Sequence, residues 1–82
     1  MAKYKKKVVI VNAWEVTREN INYICTMLKN KGKNVWIDED KIVIPTLEGI
    51  MYATYDDYVI QGVKGEIYPC KKDIFNMTYE KI

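Results

Sequence analysis

The sequence contains no histidine and no serine among its 82 residues, and only two cysteines. These absences exclude a Ser-His-Asp triad, a Cys-His nucleophile pair and a histidine-ligated zinc site. Two cysteines are too few for a four-cysteine zinc or iron–sulfur site within one chain. Phosphate-binding motifs of the GxxxxGK[ST] and GxGxxG types are also missing. Most common catalytic machinery is therefore lacking, and we expect no enzyme activity, no cofactor and no resident metal.

Charge and length limit the classes of partner. The 13 basic and 11 acidic side chains give a formal charge of +2, whereas nucleic-acid-binding domains usually carry a clear basic excess. No apolar run approaches the roughly 20 residues of a membrane span, and the start lacks the apolar core of a signal peptide. We therefore expect a cytoplasmic protein with no membrane partner. A chain this short buries only about 60–65% of its unfolded surface, so we also expect a homo-oligomer.

The first half of the chain predicts one strand and the main helix. Val8–Val11 is a β-branched run too short for anything but a strand. Thr17 is a good helix N-cap, and Gly32 stands where a left-handed residue commonly ends a helix. Between them, apolar residues recur at helical spacing, at Ile21, Ile24, Cys25 and Leu28. The pattern predicts a helix over residues 18–31.

The second half predicts short antiparallel strands separated by tight turns. Apolar runs bounded by Asp, Glu, Gly and Pro place these strands at 35–37, 42–44, 50–54, 58–60 and 66–68. Asp73 is expected to cap a short helix through Met77, and residues 78–82 to return as an edge strand. The predicted order is β-α-β-β-β-β-β-short α-β. Strands gathered after one helix indicate a single small α+β domain over residues 1–82, with a bent antiparallel sheet or small barrel packed on one main helix.

Several segments resemble the small phage and prophage proteins of the PGDYG family, which is named after a Pro-Gly-Asp-Tyr turn. The shared segments are KYKKKVVI at 3–10 with Trp14 after it, TLEG at 46–49, YDDY at 55–58, GVKGEIYPCKKDIF at 62–75 and TYE at 78–80. Tyr55-Asp56 replaces the Pro-Gly of the signature turn, where glycine would supply positive φ at no cost. Lys72 replaces a proline before Asp73. The resemblance implies a phage or prophage origin and a shared fold, but it implies no activity and no catalytic residue.

The Gly62–Lys72 segment is the strongest candidate for a ligand-binding surface. It offers backbone N–H groups, positive charge and an aromatic face, at Gly62, Lys64, Gly65, Tyr68, Lys71 and Lys72. This combination suits a phosphate or an anionic nucleotide. Trp14 and Trp36 are candidates for a pocket or an interface. The structural alternative is a plain hairpin, with two tryptophans that fill the centre of a small domain.

Three further features have both a structural and a functional interpretation. The lysines at 3, 5, 6 and 7 are either an edge that blocks aggregation or a nucleic-acid arm. The acidic turns at 38–40 and 56–57 could hold a hard cation, but they lack the ligand ladder of a calcium loop. Cys25 falls on the apolar helix face as an inert thiol. Cys70 lies beside two lysines that would lower its pKa and raise its reactivity, although no base is near it in sequence and a structural role is favoured.

Without catalytic residues, the sequence favours a protein that works by binding. The resemblance implies a phage-type accessory protein, and an anti-defence role follows in one of two forms. It either blocks a host defence protein or, as an oligomer, sequesters a host signalling nucleotide of the cyclic or ADP-ribose type. A nucleic-acid-associated phage protein is the alternative, and it predicts a steep salt dependence of binding. A structural role in the virion also stays open.

Overall fold

The structure is a computed structural model that describes residues 1–5 and 7–82. Across these residues, six strands and two helices follow the order β-α-β-β-β-β-β-α. Their bounds are β1 Asn12–Glu15, α1 Ile21–Asn30, β2 Trp36–Asp38, β3 Lys41–Thr46, β4 Gly49–Thr54, β5 Tyr58–Gln61, β6 Ile67–Cys70 and α2 Lys72–Thr78. The strands form two antiparallel three-stranded sheets, sheet A (β1-β5-β6) and sheet B (β2-β3-β4). The predicted small α+β fold is therefore confirmed, with two sheets in place of one bent sheet or barrel.

Thr17 starts the turn that leads into helix α1, but the helix begins at Ile21 with Asn20 as its N-cap, so the prediction of Thr17 as the N-cap of a helix from residue 18 is wrong. The Thr17 Oγ1 accepts a hydrogen bond from the Asn20 N–H at 3.2 Å, and the Asn20 Oδ1 accepts one from the Thr17 N–H at 2.8 Å. This reciprocal pair satisfies backbone donors near the start of the helix that have no intrahelical partner. The Thr17 carbonyl then accepts from the Ile21 N–H at 3.0 Å, where regular α geometry begins.

Gly32 ends helix α1 in a Schellman motif. The Lys33 N–H donates to the Leu28 carbonyl at 3.0 Å, and the Gly32 N–H donates to the Lys29 carbonyl at 2.9 Å. Gly32 has φ of +84°, a conformation that strains any residue with a Cβ. The predicted left-handed end of the helix is therefore confirmed.

The hydrophobic core lies between α1 and the inner faces of the two sheets. Its buried side chains are Val16, Ile21, Ile24, Cys25, Leu28, Val35, Ile42, Ile44, Ala53, Val59 and Ile67. The four helical members are those that the spacing in the sequence predicts. Trp14, Met27, Ile37 and Tyr55 pack against this core while part of each side chain stays accessible. The outer face of sheet A is covered by α2, whereas no described helix covers the outer face of sheet B.

The first predicted strand forms later than its β-branched run, as β1 at Asn12–Glu15, and the predicted last strand is wrong. Residues 8–11 form no strand, since pairing in sheet A begins at Asn12, opposite Gln61, and the β5–β6 turn follows directly. Residues 79–82 follow α2 without forming a strand. A β-branched run favours an extended backbone, but it becomes a strand of a sheet only where an adjacent strand pairs with it. Lys6, which belongs to the predicted lysine run, lies outside the described residues.

Both prolines lie inside strands instead of ending them. Pro45 is opposite Ile50 in β3, and β2 reaches only as far as Val43, so one side of Pro45 has no neighbouring strand. Pro69 is opposite Val59 in β6, an edge strand of sheet A. Proline is tolerated at such positions because its missing N–H removes no ladder hydrogen bond on an open side.

Candidate functional site

Strand β6 separates the two halves of the predicted ligand-binding segment. The glycine turn over residues 62–66 precedes β6, whereas Lys71 and Lys72 follow it. A four-residue strand is about 13 Å long, so the lysine pair and the turn lie at opposite ends of sheet A. The Gly62–Lys72 segment therefore does not gather its charges around one ligand-sized centre.

The two predicted aromatic residues lie on opposite faces of sheet A. Trp14 is opposite Val59, and Tyr68 is opposite Ile60, the next residue along β5. Because side chains alternate along a strand, these two rows face opposite ways. Trp14 packs on the core side, and Tyr68 lies on the side covered by α2.

The glycine turn uses its backbone donors internally. The Gly62 N–H donates to the Glu66 carbonyl at 2.8 Å, and the Gly65 N–H donates to the Gly62 carbonyl at 3.0 Å. The Lys64 N–H donates to the Glu66 carboxylate at 2.9 Å. That carboxylate also fills the space where a Cβ at Gly62 would lie. A phosphate at this turn would thus compete with the chain's own Glu66.

Lys71 and Lys72 are engaged in ion pairs. The Lys71 Nζ lies 3.5 Å from Asp57 Oδ1, and the Lys72 Nζ lies 2.9 Å from Glu15 Oε2. The hydrogen bond and the charge of Glu15 raise the pKa of Lys72. Asp57 is buried, and its other carboxylate oxygen accepts the Thr54 N–H at 3.0 Å. Both lysines therefore help to join the end of β6 to neighbouring segments.

An aromatic cluster attaches α2 to sheet A. The Phe75 ring stacks on the Tyr58 ring with the two centroids 3.8 Å apart. The Tyr79 ring also stacks on Phe75, with the two centroids 5.0 Å apart. Burial, and then a hydrogen bond with Tyr79, raise the pKa of Tyr68 to about 12. Tyr68 is thus part of the contact between α2 and the sheet, which leaves less of its ring available for a ligand.

The two thiols have different surroundings. Cys25 is buried in the core on α1. Burial raises the pKa of the Cys70 thiol, and the carboxylates of Asp57 and Asp73 raise it further. The expectation that neighbouring lysines lower this pKa is wrong, since the pKa is raised and burial is the largest cause. Cys70 therefore lacks the electropositive surroundings of a reactive cysteine.

The end of α1 brings further lysines to the glycine turn. The Lys31 Nζ lies 5.4 Å from the centre of the Trp14 ring and donates to Gln61 Oε1 at 3.1 Å. The Lys33 Nζ lies 3.4 Å from the position of a Cβ at Gly65. We call this region the basic corner, defined by Trp14, Lys31, Lys33 and Lys64. Sequence reasoning missed Lys31 and Lys33, since their position depends on how α1 packs against sheet A.

A groove of about 820 Å³ runs between the two chain ends. Residues 7–13 line one side, residues 78–82 line the other, and Tyr58 and Phe75 contribute aromatic surface. Most of the groove is therefore bounded by the two terminal segments, which belong to no sheet except at the start of β1.

The outer face of sheet B is an open and largely apolar surface. Trp36, Val43 and Tyr52 lie side by side across β2, β3 and β4, and Pro45 pairs with Ile50 on the same face. Trp36 is 41%, Tyr52 52% and Ile50 58% exposed, whereas Val43 between the two rings is 3% exposed. A sheet face that meets water is usually polar. This face instead combines aromatic and aliphatic side chains on a rigid sheet.

Charged residues lie at one end of this apolar face. Asp38, Glu39 and Asp40 form the exposed end of β2 and its turn, and none of them takes part in an ion pair within the described residues. The Lys41 Nζ lies 5.8 Å from the centre of the Tyr52 ring. The sequence identified Trp36 as a candidate but missed Ile50 and Tyr52. In β4 the residues of both faces are largely apolar, so the pattern alone does not show which face is buried.

Within residues 1–5 and 7–82, no three His, Cys, Asp or Glu side chains are grouped so that they could hold a metal ion. No helix in this part of the chain has the length and apolar character needed to cross a membrane. Comparison with protein-family models, with curated proteins and with solved structures finds no match to the chain.

Proposed function

We propose that this protein works by binding a partner protein through the outer face of sheet B. The observation that supports this is the joint exposure of Trp36, Ile50 and Tyr52 on one face, around the buried Val43. Trp and Tyr are enriched among the residues that dominate binding energy, because large rigid rings bury much area at little entropic cost. A sheet holds these side chains in place before binding, which lowers the cost of association.

The charges beside this face define the chemistry of the partner. The acidic turn at Asp38, Glu39 and Asp40 borders the apolar centre. A complementary surface has an apolar centre with basic residues along the matching edge. Such edge charges mainly accelerate association, so the association rate is expected to fall as salt is added.

The biological setting is part of the same proposal. The resemblance to small phage proteins supports a non-enzymatic accessory protein in the host cytoplasm, with a host defence protein as the target that it blocks. A stoichiometric inhibitor needs a surface and no catalytic group, which agrees with the residue types that the sequence lacks.

The test compares three tagged proteins that are recovered gently from host cells. These are the wild type, a Trp36→Ala variant and a Tyr23→Ala variant, which removes an exposed aromatic ring from α1 instead. A recovered partner is then purified, and its affinity for each protein is measured by titration calorimetry. We expect Trp36→Ala to weaken binding by about 2 kcal/mol, roughly thirtyfold in Kd, while Tyr23→Ala binds like the wild type.

Thermal unfolding of each variant controls for loss of fold. Equal affinities of the wild type and a folded Trp36→Ala variant would remove the outer face of sheet B from the proposal. Equal losses in the Trp36→Ala and Tyr23→Ala variants would also contradict it, since the two positions lie on different surfaces.

The basic corner supports a second candidate, the sequestration of a host signalling nucleotide. The Lys31 Nζ lies over the Trp14 ring, and the Lys33 Nζ lies beside Gly65, the residue after Lys64. Positive charge next to an aromatic ring attracts an anionic nucleotide. A cyclic dinucleotide and ADP-ribose serve as probes in calorimetry. Binding that is lost in a Lys33→Ala/Lys64→Ala variant and kept in Trp36→Ala would favour this candidate. No heat with either probe, and no small molecule released from the gently purified protein, would exclude it.

Nucleic acid is the less favoured ligand because the overall charge is nearly balanced. Binding to a nucleic acid predicts an affinity that falls steeply with salt. A gel-shift assay without that response would remove this alternative.

A further inference from the structure

The segment before β1, which we call the arm (residues 7–11), has the character of an unpaired strand. Val8 is 93% and Ile10 is 70% exposed, whereas Val9 is 46% exposed and Val11 is partly buried. An extended chain gives such alternation when one of its faces meets the protein. The β-branched residues of the arm favour this conformation. The arm thus resembles a strand that has no partner among the described residues.

The arm runs directly into an open sheet edge. β1 is an outer strand of sheet A and pairs only with β5. Its other side, together with the arm, leaves a row of backbone N–H and C=O groups without partners in the described part of the chain. Such an edge is a template for another strand, and proteins usually shorten it or cover it.

We propose that the same edge of a second copy of this chain covers the arm and β1. In an antiparallel pair about a two-fold axis, both copies present the same residues, so the β-branched run at 8–11 meets itself. The two copies of sheet A then join into one six-stranded sheet in the order β6-β5-β1-β1-β5-β6. β-branched side chains pack well against one another across such a pair.

The charges along this edge favour a second copy over an unrelated strand. In a chain extended up to β1, Lys3, Lys5, Lys7 and Glu15 would share one face, because all four have odd numbers. In the register that places Val9 opposite Val11, Lys5 of each copy lies opposite Glu15 of the other. A shift by two residues brings Lys3 or Lys7 opposite Glu15 instead. Each of these registers thus creates two opposite-charge pairs, which stabilise cross-strand pairing.

Glu15 is available for this contact. Its side chain is 34% exposed and lies 2.9 Å from the Lys72 Nζ on the outer side of sheet A. A lysine from a second copy would join this accessible cluster without burying an unpaired charge. The edge of sheet A is also separate from the outer face of sheet B, so the dimer does not depend on the proposed function.

The first test measures mass against concentration by sedimentation and light scattering. We expect the wild type to form a dimer of the 9.7 kDa chain. Backbone N–H groups at even positions of β1 point to β5, as Val16 shows by donating to Asp57, so the odd positions point to the open edge. Val9→Pro removes one of these open-edge donors and should weaken the dimer by at least about tenfold, because proline disrupts a paired strand. Ala2→Pro, a proline outside the run, serves as the control and should leave the dimer intact. A wild type that stays monomeric, or a Val9→Pro dimer as stable as the wild type, would overturn the proposal.

A charge exchange tests the register and the two-fold symmetry. A Lys3→Glu/Lys5→Glu/Lys7→Glu variant places its acidic arm against Glu15, and a Glu15→Lys variant places its lysine against a basic arm. Each variant alone is expected to be mainly monomeric, whereas a mixture of the two restores opposite charges at both contacts. A mixed dimer in native mass spectrometry is the expected result. If the mixture stays monomeric, or if either variant alone dimerises like the wild type, charge pairing across the arms is wrong.

Discussion

Asp56 adopts a left-handed backbone conformation in the turn between β4 and β5. Its φ is +73°. Asp is one of the few residues with a Cβ that adopts this conformation with some regularity, although glycine adopts it at lower cost. The neighbouring Asp57 closes the same turn, since its carboxylate accepts the Thr54 N–H and its backbone N–H donates to the Thr54 carbonyl at 3.0 Å. The turn therefore holds Asp56 in a conformation that is strained relative to glycine.

Relief of this strain is measurable. Asp56→Gly is expected to raise the free energy of unfolding by about 0.5–1 kcal/mol, because glycine adopts positive φ without steric cost. Asp40→Gly is the matched control, since it removes the same charge from an exposed turn residue without positive φ. Urea unfolding of both variants gives the comparison. Equal effects of the two substitutions would show that Asp56 is not strained.

Cys70 offers a second test on a single residue. Burial and two carboxylates raise its pKa, and only the thiolate is alkylated, so a smaller thiolate fraction exists near neutral pH. We expect iodoacetamide to modify Cys70 more slowly in the folded protein than in urea at the same pH. The rate in the folded protein should also continue to rise at pH values where the unfolded thiol has levelled off. Peptide mapping separates Cys70 from the buried Cys25, and faster modification in the folded state would contradict the raised pKa.

Some residue features with a local cause were predictable from the sequence. Gly32 ends α1 through hydrogen bonds that reach at most five residues along the chain, as predicted, whereas Thr17 forms the turn before the helix and is not its N-cap. The use of the turn amides by Glu66 was not predicted, although it is equally local, because sequence patterns do not show which acceptor a free N–H selects. The approach of Lys31 to Trp14 depends on tertiary packing, which spacing does not reveal.

Helix α2 depends on a small number of aromatic contacts. None of its residues is fully buried, and its Phe75 ring lies between Tyr58 and Tyr79. A helix of seven residues is not stable by itself, so these contacts and the strand beneath it must hold it in place. The sequence predicted this helix from Asp73 onward, but it did not reveal which sheet face the helix covers.

Removal of the Phe75 ring is expected to release this helix. Phe75→Ala loses two stacked pairs and should lower the free energy of unfolding by about 1–3 kcal/mol. Hydrogen exchange should accelerate over residues 72–78 while the core amides keep their protection. The pKa of Tyr68 should fall from about 12 toward 10, as measured by absorbance during alkaline titration, because its burial and its contact with Tyr79 are lost.

Ile74→Ala is the control on the same helix, since Ile74 is 54% exposed. It should leave the exchange of the α2 amides and the pKa of Tyr68 close to the wild-type values. An α2 that stays protected in Phe75→Ala would contradict attachment through the aromatic cluster.

Strands were predictable as elements, but their partners were not. The runs that form β2 to β6 were located to within a few residues because alternating apolar positions and turn residues mark them. The arm has the strongest β-branched run in the chain and still forms no strand, since sheet A offers it no neighbour. The division into two sheets also depends on long-range pairing that no local pattern encodes.

The whole molecule is elongated, with principal extents of 48 × 23 × 21 Å. Its small core is enclosed by α1 and two three-stranded sheets. The arm beside β1 and the outer face of sheet B are apolar regions that remain outside that core. The two regions lie on different sheets, which allows one to join two copies while the other contacts a partner protein.

Association of two copies predicts a stability that depends on concentration. A dimer formed only by folded chains raises Tm as the protein concentration increases. We expect this rise in the wild type and a nearly constant Tm in Val9→Pro, measured by scanning calorimetry over a series of concentrations. A wild-type Tm that does not change would argue against a dimer that forms upon folding.

Binding of a partner protein through sheet B is tested most directly by photocrosslinking in host cells. A photoreactive phenylalanine analogue is placed at position 36, on the outer face of sheet B, or at position 23 on α1 as the control. Binding through this face predicts one discrete crosslinked species from position 36, with a host protein identified in it by mass spectrometry, and no such species from position 23. If position 36 yields no host protein, or if both positions yield the same species, the outer face of sheet B is not the binding surface.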